Sequence, residues 1–507
     1  MTDYKTPGVY VVEKNAFPNS VVEVETAIPA FIGYTERALQ GKTDVTNKAI
    51  RLTSLRDYEA IFGGPPVTPL AFVDASKPST SALKYPDQRF LLYYGMRLFF
   101  DNGGGPCYVI SVGDYTNGID PNKLWDANDM IRDALRRELE PTMIVIPDAT
   151  QLAGADWKGL SEKVLLHCVE MMSRITILDV VGGDRPGADG ESVSNLIRDH
   201  ANQLRAVTGD KLSYGVAYYP WLNSTIVGDA DVDFRSLDAD ARPALFDAVK
   251  KGAQTDFEKD PAKIEAINHA ADTIAGFTFT DLQPLPSAIQ HSHQVLLRAS
   301  PVYKDVMAAI RPKLNLLPPS MAMAGVYTRI DNEFGVFRAP ANTGLISVAS
   351  PSISITHAEQ EDLNMPLDGK AINAIRALPG RGLMVWGART LDGNSQDWKY
   401  VNVRRTMIML EQSIKAAAQA YVFQPNTPTT WVTVRSMIVN YLTNKWKDGA
   451  LMGVTPDEAF SVDVGLGSTM SANDILDGYM RVTVKVAIVR PAEFIELTFV
   501  QKMQTAA

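Results

Sequence analysis

Cysteine is nearly absent: Cys107 and Cys168 are the only two in 507 residues. Two isolated thiols cannot build a disulfide framework, and they read as reduced and structural in a cytosol-made chain. No run is long and apolar enough to span a bilayer. The opening Met1-Thr-Asp-Tyr-Lys-Thr-Pro-Gly8 lacks the apolar core of a signal peptide. Basic excess is also missing. Lys and Arg total 49 against 58 Asp and Glu, a net charge of −9, which argues against a nucleic-acid partner. There is no repeat of fixed period and no low-complexity tract.

What remains is the composition of a soluble globular protein, 46% hydrophobic and 21% charged. The length predicts about two to four domains. The most organised stretch is Trp398–Val500, which reads as two helices followed by two strands. Asn402 is placed as an N-cap, with Met407, Leu410, Ile414, Ala417 and Tyr421 at helical spacing and Pro425 as the stop. Thr427-Pro428 starts a second helix carrying Trp431, Val434, Ile438, Leu442 and Trp446 on one side. Lys445 and Lys447 suit its last turn, and Gly449 its close. In Arg481–Val489 the residues Val482, Val484, Val486 and Ile488 share one face. After Pro491, Ile495, Leu497 and Phe499 alternate again. The N-terminus mirrors this, because Thr6-Pro-Gly-Val-Tyr-Val-Val-Glu13 is also a strand with little local company. Chain ends fray unless something holds them, so two terminal strands invite pairing within or between subunits.

Between the ends, Ala30–Tyr34, Tyr108–Val112, Thr142–Ile146, Ile175–Val181 and Tyr214–Tyr219 read as buried strands. Helices are expected at 52–62, 90–100, 157–174, 193–207, 261–275 and 302–310. Strand–helix alternation with buried strands predicts a mainly parallel, helix-covered sheet. The fold class is therefore α/β and α+β: a multidomain protomer with an α/β middle region, a C-terminal two-helix plus β-sheet domain and extended β-arms. The expected division is an arm at 1–25, an α/β region at 26–345 (subdomains about 26–115 and 116–345), a further domain at 346–480 and a C-terminal arm at 481–507. Residues 228–262 read as an acidic, exposed stretch.

Motifs for chemistry are weak. Asn102-Gly-Gly-Gly-Pro106 lies between helix and strand, the reverse of a phosphate loop, and lacks its Lys. Gly182-Gly-Asp-Arg-Pro-Gly187 has better context but no dinucleotide or Walker pattern. Asp229, Asp231, Asp233 and Asp240 have calcium-loop spacing, yet Phe234 stands where such loops need Gly. His291 and His293 have no partner at metal spacing. No histidine sits beside a nucleophile elbow. No catalytic, cofactor or metal residues are expected, and no enzyme activity. Arg376, Arg381 and Arg389, near Trp386, read equally well as an anion site or as a basic rim for a neighbouring subunit's acidic surface.

Ile372-Asn-Ala-Ile-Arg-Ala-Leu-Pro-Gly-Arg-Gly-Leu-Met-Val-Trp-Gly-Ala-Arg-Thr-Leu391 closely resembles the signature of contractile tail sheath proteins, from contractile phage tails and related injection systems. Trp398–Met407, Gly449–Leu451 through Pro456–Phe460, and Pro491–Ile495 resemble the same family. So do Tyr4–Tyr10, Ala30–Gly33, Tyr58–Gly63, Phe99–Gly104, Tyr218–Trp221, Pro318–Ser320, Ala324–Tyr327 and Val336–Asn342, in family order along nearly the whole chain. The resemblance is to the single-chain type. It implies a structural subunit that stacks as rings around an inner tube and contracts to drive that tube through an envelope. Terminal arms would complete the sheets of neighbours. Pro7, Gly8, Val9, Tyr10, Val11, Val12, Val482, Val484, Val486, Ile488, Ile495, Leu497 and Phe499 are the expected inter-subunit strands. Arg404, Arg405, Lys415, Lys445 and Lys447 are expected to face the tube. Implied partners are neighbouring sheath subunits, the inner tube, baseplate and terminal cap proteins and a sheath paralogue, with no nucleic acid and no membrane insertion. Assembly is expected in the bacterial cytoplasm, before incorporation into a virion tail, a released particle or a cell-anchored injector. The rival readings are another injector component and an enzyme using the α/β region.

Overall fold

The computed structural model describes residues 21–125, 129–185, 192–277 and 285–498. It divides into two compact units, one of residues 25–405 and one joining the chain up to Val24 with the chain from Thr406.

The larger unit is built on a nine-stranded sheet. Its strands are β1 (Pro29–Gly33), β2 (Ile50–Leu52), β3 (Cys107–Ser111), β4 (Met143–Val145), β5 (Ile175–Asp179), β6 (Gly215–Tyr219), β7 (Thr343–Gly344), β8 (Asn373–Leu378) and β9 (Gly382–Val385). Their spatial order is β7-β9-β8-β6-β5-β4-β1-β3-β2. The six from β8 to β3 run parallel, with antiparallel strands at both margins. Every residue of β1, β3, β4, β5 and β6 is buried, as a parallel sheet covered on both faces requires.

Among the helices of this unit are α1 (Leu92–Asp101), α2 (Gly154–Met171) and α3 (Ser320–Phe334). Helices α1 and α3 approach unusually closely. A methyl on Gly325 would come within 2.5 Å of the Phe99 carbonyl oxygen, and one on Gly95 within 2.7 Å of the Met321 side chain. Two buried carboxylates cap these helices. Asp148 accepts from the Leu91 amide at 2.7 Å and the Tyr34 amide at 2.9 Å. Asp179 accepts from the Ser320 amide at 2.8 Å and from the Ser320 hydroxyl. Burial pushes Asp148 up to about 6 and Asp179 up to about 7, although these hydrogen bonds favour the ionised forms.

Two expectations need correction. The stretch 228–262 is not simply an exposed acidic loop. Within it the helix Arg242–Asp256 buries Leu245, Phe246 and Val249 and packs on the helix Pro261–Ala275. The boundary expected at 345/346 also does not separate compact units. β7 pairs with β9 across it, and β8 joins β6, so residues 346–405 complete the large sheet. A strand at a sheet margin carries little sign of which sheet it joins.

The helix α4 (Val401–Ala418) contains the unit boundary, and Asn402 lies inside it rather than capping it. It stops well before Pro425. The chain tightens into a 3-10 turn at Gln419–Tyr421, and Phe423 then takes a φ of 66°. Helix α5 (Pro428–Lys447) starts as expected, with Pro428 in its first turn. Gly449, at φ 85°, closes it: the Gly449 amide donates to the Trp446 carbonyl and the Ala450 amide to the Lys445 carbonyl, both at 3.0 Å. Beyond it, β10 (Phe460–Val464) pairs antiparallel with β11 (Val482–Val486), from Phe460 opposite Val486 to Val464 opposite Val482.

Candidate assembly surfaces

In the smaller unit the valines expected to alternate do so. Val482, Val484 and Val486 are half-buried, and Thr483 and Lys485 are exposed. Their ladder partner lies within the chain, in β10, whose own alternation Phe460-Ser-Val-Asp-Val464 is an equally legible strand pattern. Ile488 is buried and bridges Leu451, while the Ala487 amide donates to the Ala459 carbonyl at 2.8 Å. The β10–β11 sheet has only two strands, so each has a second edge with no strand partner among the described residues. Residues 491–498 form no strand, and Phe494, Ile495 and Leu497 are each more than 70% exposed. Pro7, Gly8, Val9, Tyr10, Val11, Val12 and Phe499 lie outside the described residues.

The cations fall into two classes. Lys415 and Lys447 are exposed. Lys445 is half-buried against Glu23 at 2.6 Å and Asp448 at 2.9 Å. Burial pulls its pKa down, but the hydrogen bonds to both carboxylates outweigh that and hold it above the ordinary lysine value.

Arg404 and Arg405, expected to face a tube, are instead interior groups of the large unit, 5% and 4% exposed. The Arg404 guanidinium lies 3.6 Å from the Trp398 ring centre and 4.4 Å from that of Tyr214, and it donates to the Ser213 hydroxyl at 2.7 Å. Arg405 grips Asp331 through two nitrogens, at 2.8 and 2.6 Å, and donates to the Thr26 carbonyl at 2.9 Å. The reason is geometric: both fall at the start of α4, where every residue from 401 to 406 is buried. Charge alone marks them as surface groups, and nothing local identifies Asp331 or Thr26 as partners of Arg405.

The three arginines around Trp386 do not form one cluster of free cations. Arg389 is buried and donates to the Asn364 carbonyl at 3.2 Å, and Arg376 donates to the Gln360 side chain at 2.9 Å. Arg381 is exposed over the Trp386 ring. The acidic loop is likewise engaged in local contacts. Asp229 pairs with Arg311, Asp231 accepts from the Gly228 amide, and Asp233 pairs with Arg235. His293 is buried against the Tyr303 hydroxyl at 2.7 Å. Among the described residues no group of His, Cys, Asp and Glu is arranged to hold a metal ion, and no helix is long and apolar enough to cross a membrane.

Comparison with known proteins bears on these surfaces. Residues 394–502 match the family model described as phage tail sheath C-terminal domain. No curated protein sequence matches the chain. Three solved structures align end to end. The sheath of an extracellular contractile injection system, PVC, in its contracted state, is 26% identical with TM-score 0.59, covering 99% of each chain. The helical sheath of the anti-feeding prophage in its contracted state is 27% identical with TM-score 0.60, covering 99% of this chain and 100% of that one. A chain of the anti-feeding prophage baseplate is 28% identical with TM-score 0.58, at the same coverage. Over residues 394–502 the chain thus carries the phage tail sheath C-terminal domain, and from end to end it is similar to solved sheath chains of contractile injection systems.

Proposed function

We propose that this chain polymerises as stacked rings around an inner tube and, on contraction, drives that tube through a target envelope. The observation that carries this reading is the end-to-end likeness to a helical contractile sheath, extending over both units. Its role is structural rather than catalytic. Its partners are neighbouring copies, the tube protein, baseplate and terminal cap proteins and, where one is encoded, a sheath paralogue. Subunits are made in the bacterial cytoplasm and assembled there before becoming part of a tail, a released particle or an anchored injector.

Subunits are linked in this reading by strand addition. Residues 6–13 of one copy, with the segment around Ile495, Leu497 and Phe499 of another, extend the two-stranded sheet beside Val482, Val484 and Val486. Each hydrogen bond gained contributes roughly 0.5–1.5 kcal/mol net, so several per arm hold while subunit bodies rotate. The open edges of β10 and β11 support this, because a two-stranded sheet is marginal alone and gains from a third strand. The exposed Lys415 and Lys447, with Lys445 two positions before Lys447, are the remaining candidates to face the tube.

Electron microscopy of the purified full-length protein tests the reading. Striated hollow cylinders are the expected product. A protein that stays monomeric, alone and with its tube partner, overturns it.

A further inference from the structure

The large unit begins at Glu25 and ends at Arg405, and these two limits converge on one side chain. Asp331, near the end of α3, accepts the Thr26 hydroxyl at 2.6 Å and is held by the Arg405 guanidinium, with both side chains of that ion pair under 5% exposed. The Thr26 carbonyl accepts from Arg405 at 2.9 Å and from the Thr142 hydroxyl at 2.7 Å. The Thr328 hydroxyl reaches the Ala27 carbonyl at 3.3 Å, and the Ile28 amide donates to the Thr142 hydroxyl at 3.1 Å. The Tyr327 ring lies 4.7 Å from the Arg405 guanidinium, and its hydroxyl shares a hydrogen bond with that of Tyr218 at 2.7 Å. Ordinary apolar packing would tolerate sliding of the segment 26–28. Directional bonds from Thr142, Thr328, Asp331 and Arg405 do not.

We infer that Thr26, Asp331 and Arg405 form a root clamp that fixes, relative to each other, the points where the N-terminal arm and the C-terminal segment leave the large unit. This rests on the sheath reading above and adds the positioning residues for its arms. Strand addition requires register, and a misplacement of one residue turns each side chain to the wrong face. An arm with a wandering root would reach its neighbour in mixed registers. Arg405 suits this role better than lysine, because its planar fork meets both carboxylate oxygens and still reaches a carbonyl.

The test uses the full chain with Thr26→Val, which removes only the hydroxyl bond, and Asp331→Asn. Asp184→Asn is the control, breaking a buried ion pair with Arg89 that holds neither root. Two measurements are made: amide exchange of peptides covering residues 25–33, and image order in the cylinders. For Thr26→Val we expect roughly tenfold faster exchange at residues 26–28, the effect of losing one hydrogen bond to a charged group. We expect cylinders with blurred or lost layer lines from a folded subunit, and sharp ones from Asp184→Asn. Exchange unchanged by Thr26→Val, or cylinders as ordered as wild type despite faster exchange, overturns the clamp. If wild-type protein forms no cylinders, the sheath reading fails while the exchange measurement still decides whether the clamp exists. If Asp331→Asn does not fold, Thr26→Val decides alone.

Discussion

The two units of this subunit solve different problems. Residues 25–405 bury their strands on both faces of a nine-stranded sheet and use antiparallel strands at its margins. Among the described residues the smaller unit has a two-stranded sheet, α5 and most of α4, two short helices at Pro456–Ala459 and Ala472–Leu476, and a terminal stretch with no strand partner. Among the described residues, 12 of the 23 exposed large hydrophobic side chains lie in residues 21–24 and 406–498, about a fifth of the chain described. A body that covers its own core is stable alone. A unit that leaves apolar side chains and strand edges open is finished by something else, and concentrated exposure of this kind marks interaction surfaces.

That contrast breaks most completely at the N-terminus. Removing residues 1–20 is expected to abolish cohesive cylinders, while the thermal midpoint of the isolated subunit stays within about a degree, since under the proposed strand addition this segment pairs with a neighbour. Microscopy and calorimetry on one preparation check both halves, and normal contractile particles from the deletion would refute the arm assignment. The converse change lies in the large unit. Phe31, fully buried in β1 with its ring 4.9 Å from that of Phe99, should cost about 3–5 kcal/mol as Phe31→Ala, read from urea midpoints. Arg405→Glu should be comparably severe, because it leaves Asp331 buried against a like charge.

A smaller effect sharpens the contrast through pH. Asp179 titrates at about 7 in the folded chain, against 3.8 as its ordinary value, so the folded state binds more protons between those limits. Stability from this group is therefore highest on the acid side and falls as pH rises through the window, levelling off above about 7. Between pH 5 and pH 8 the loss should be about 2–3 kcal/mol at most, at 1.4 kcal/mol per unit. Asp148, at about 6, adds in the same direction. Asp474 in the smaller unit runs oppositely, held down to about 2 by the Ser471 amide and hydroxyl and by Arg481, but it titrates well below this range. Asp179→Asn keeps an acceptor for the Ser320 amide and should flatten the slope. Equal slopes in urea midpoints for variant and wild type would remove the burial argument.

How much of this architecture is readable from sequence depends on whether the signal is local. Buried strands such as Ala30–Gly33 and Ile175–Asp179 announce themselves as apolar runs, and the parallel sheet follows from their alternation with helices. Pro428 and Gly449 mark the ends of α5 for stereochemical reasons that need no tertiary context. The failures share the opposite property. Asp331 meets Arg405 across 74 positions and Thr26 across 305, so no spacing rule connects them. Arg404 looks like a surface cation because charge reports preference, not the two aromatic rings that receive it. β8 and β9 fall in the domain expected at 346–480 because a strand's pattern says that it is buried without saying beside what. The partner of Val482–Val486 is the exception, since Phe460–Val464 carries a period-two pattern that is readable without the fold.

The finest test separates exposure from stability within the terminal stretch. Ile495 and Leu497 are 78% and 73% exposed in the isolated chain, so Ile495→Ser with Leu497→Ser should change subunit stability by no more than about 0.5 kcal/mol. If those side chains pack into an adjoining copy they lose most of that exposure on assembly. Burying each is worth roughly 1.5–3 kcal/mol in a polymer and nothing in the monomer. The variant should thus match wild type in urea and fall apart at lower urea, or at greater dilution, once polymerised. Turbidity of cylinders and fluorescence of subunits, followed across the same urea series, distinguish the cases. A variant whose cylinders dissociate together with wild type would mean that this stretch stays exposed in the assembly, and the open edges of β10 and β11 would then have to be closed by the N-terminal arm alone.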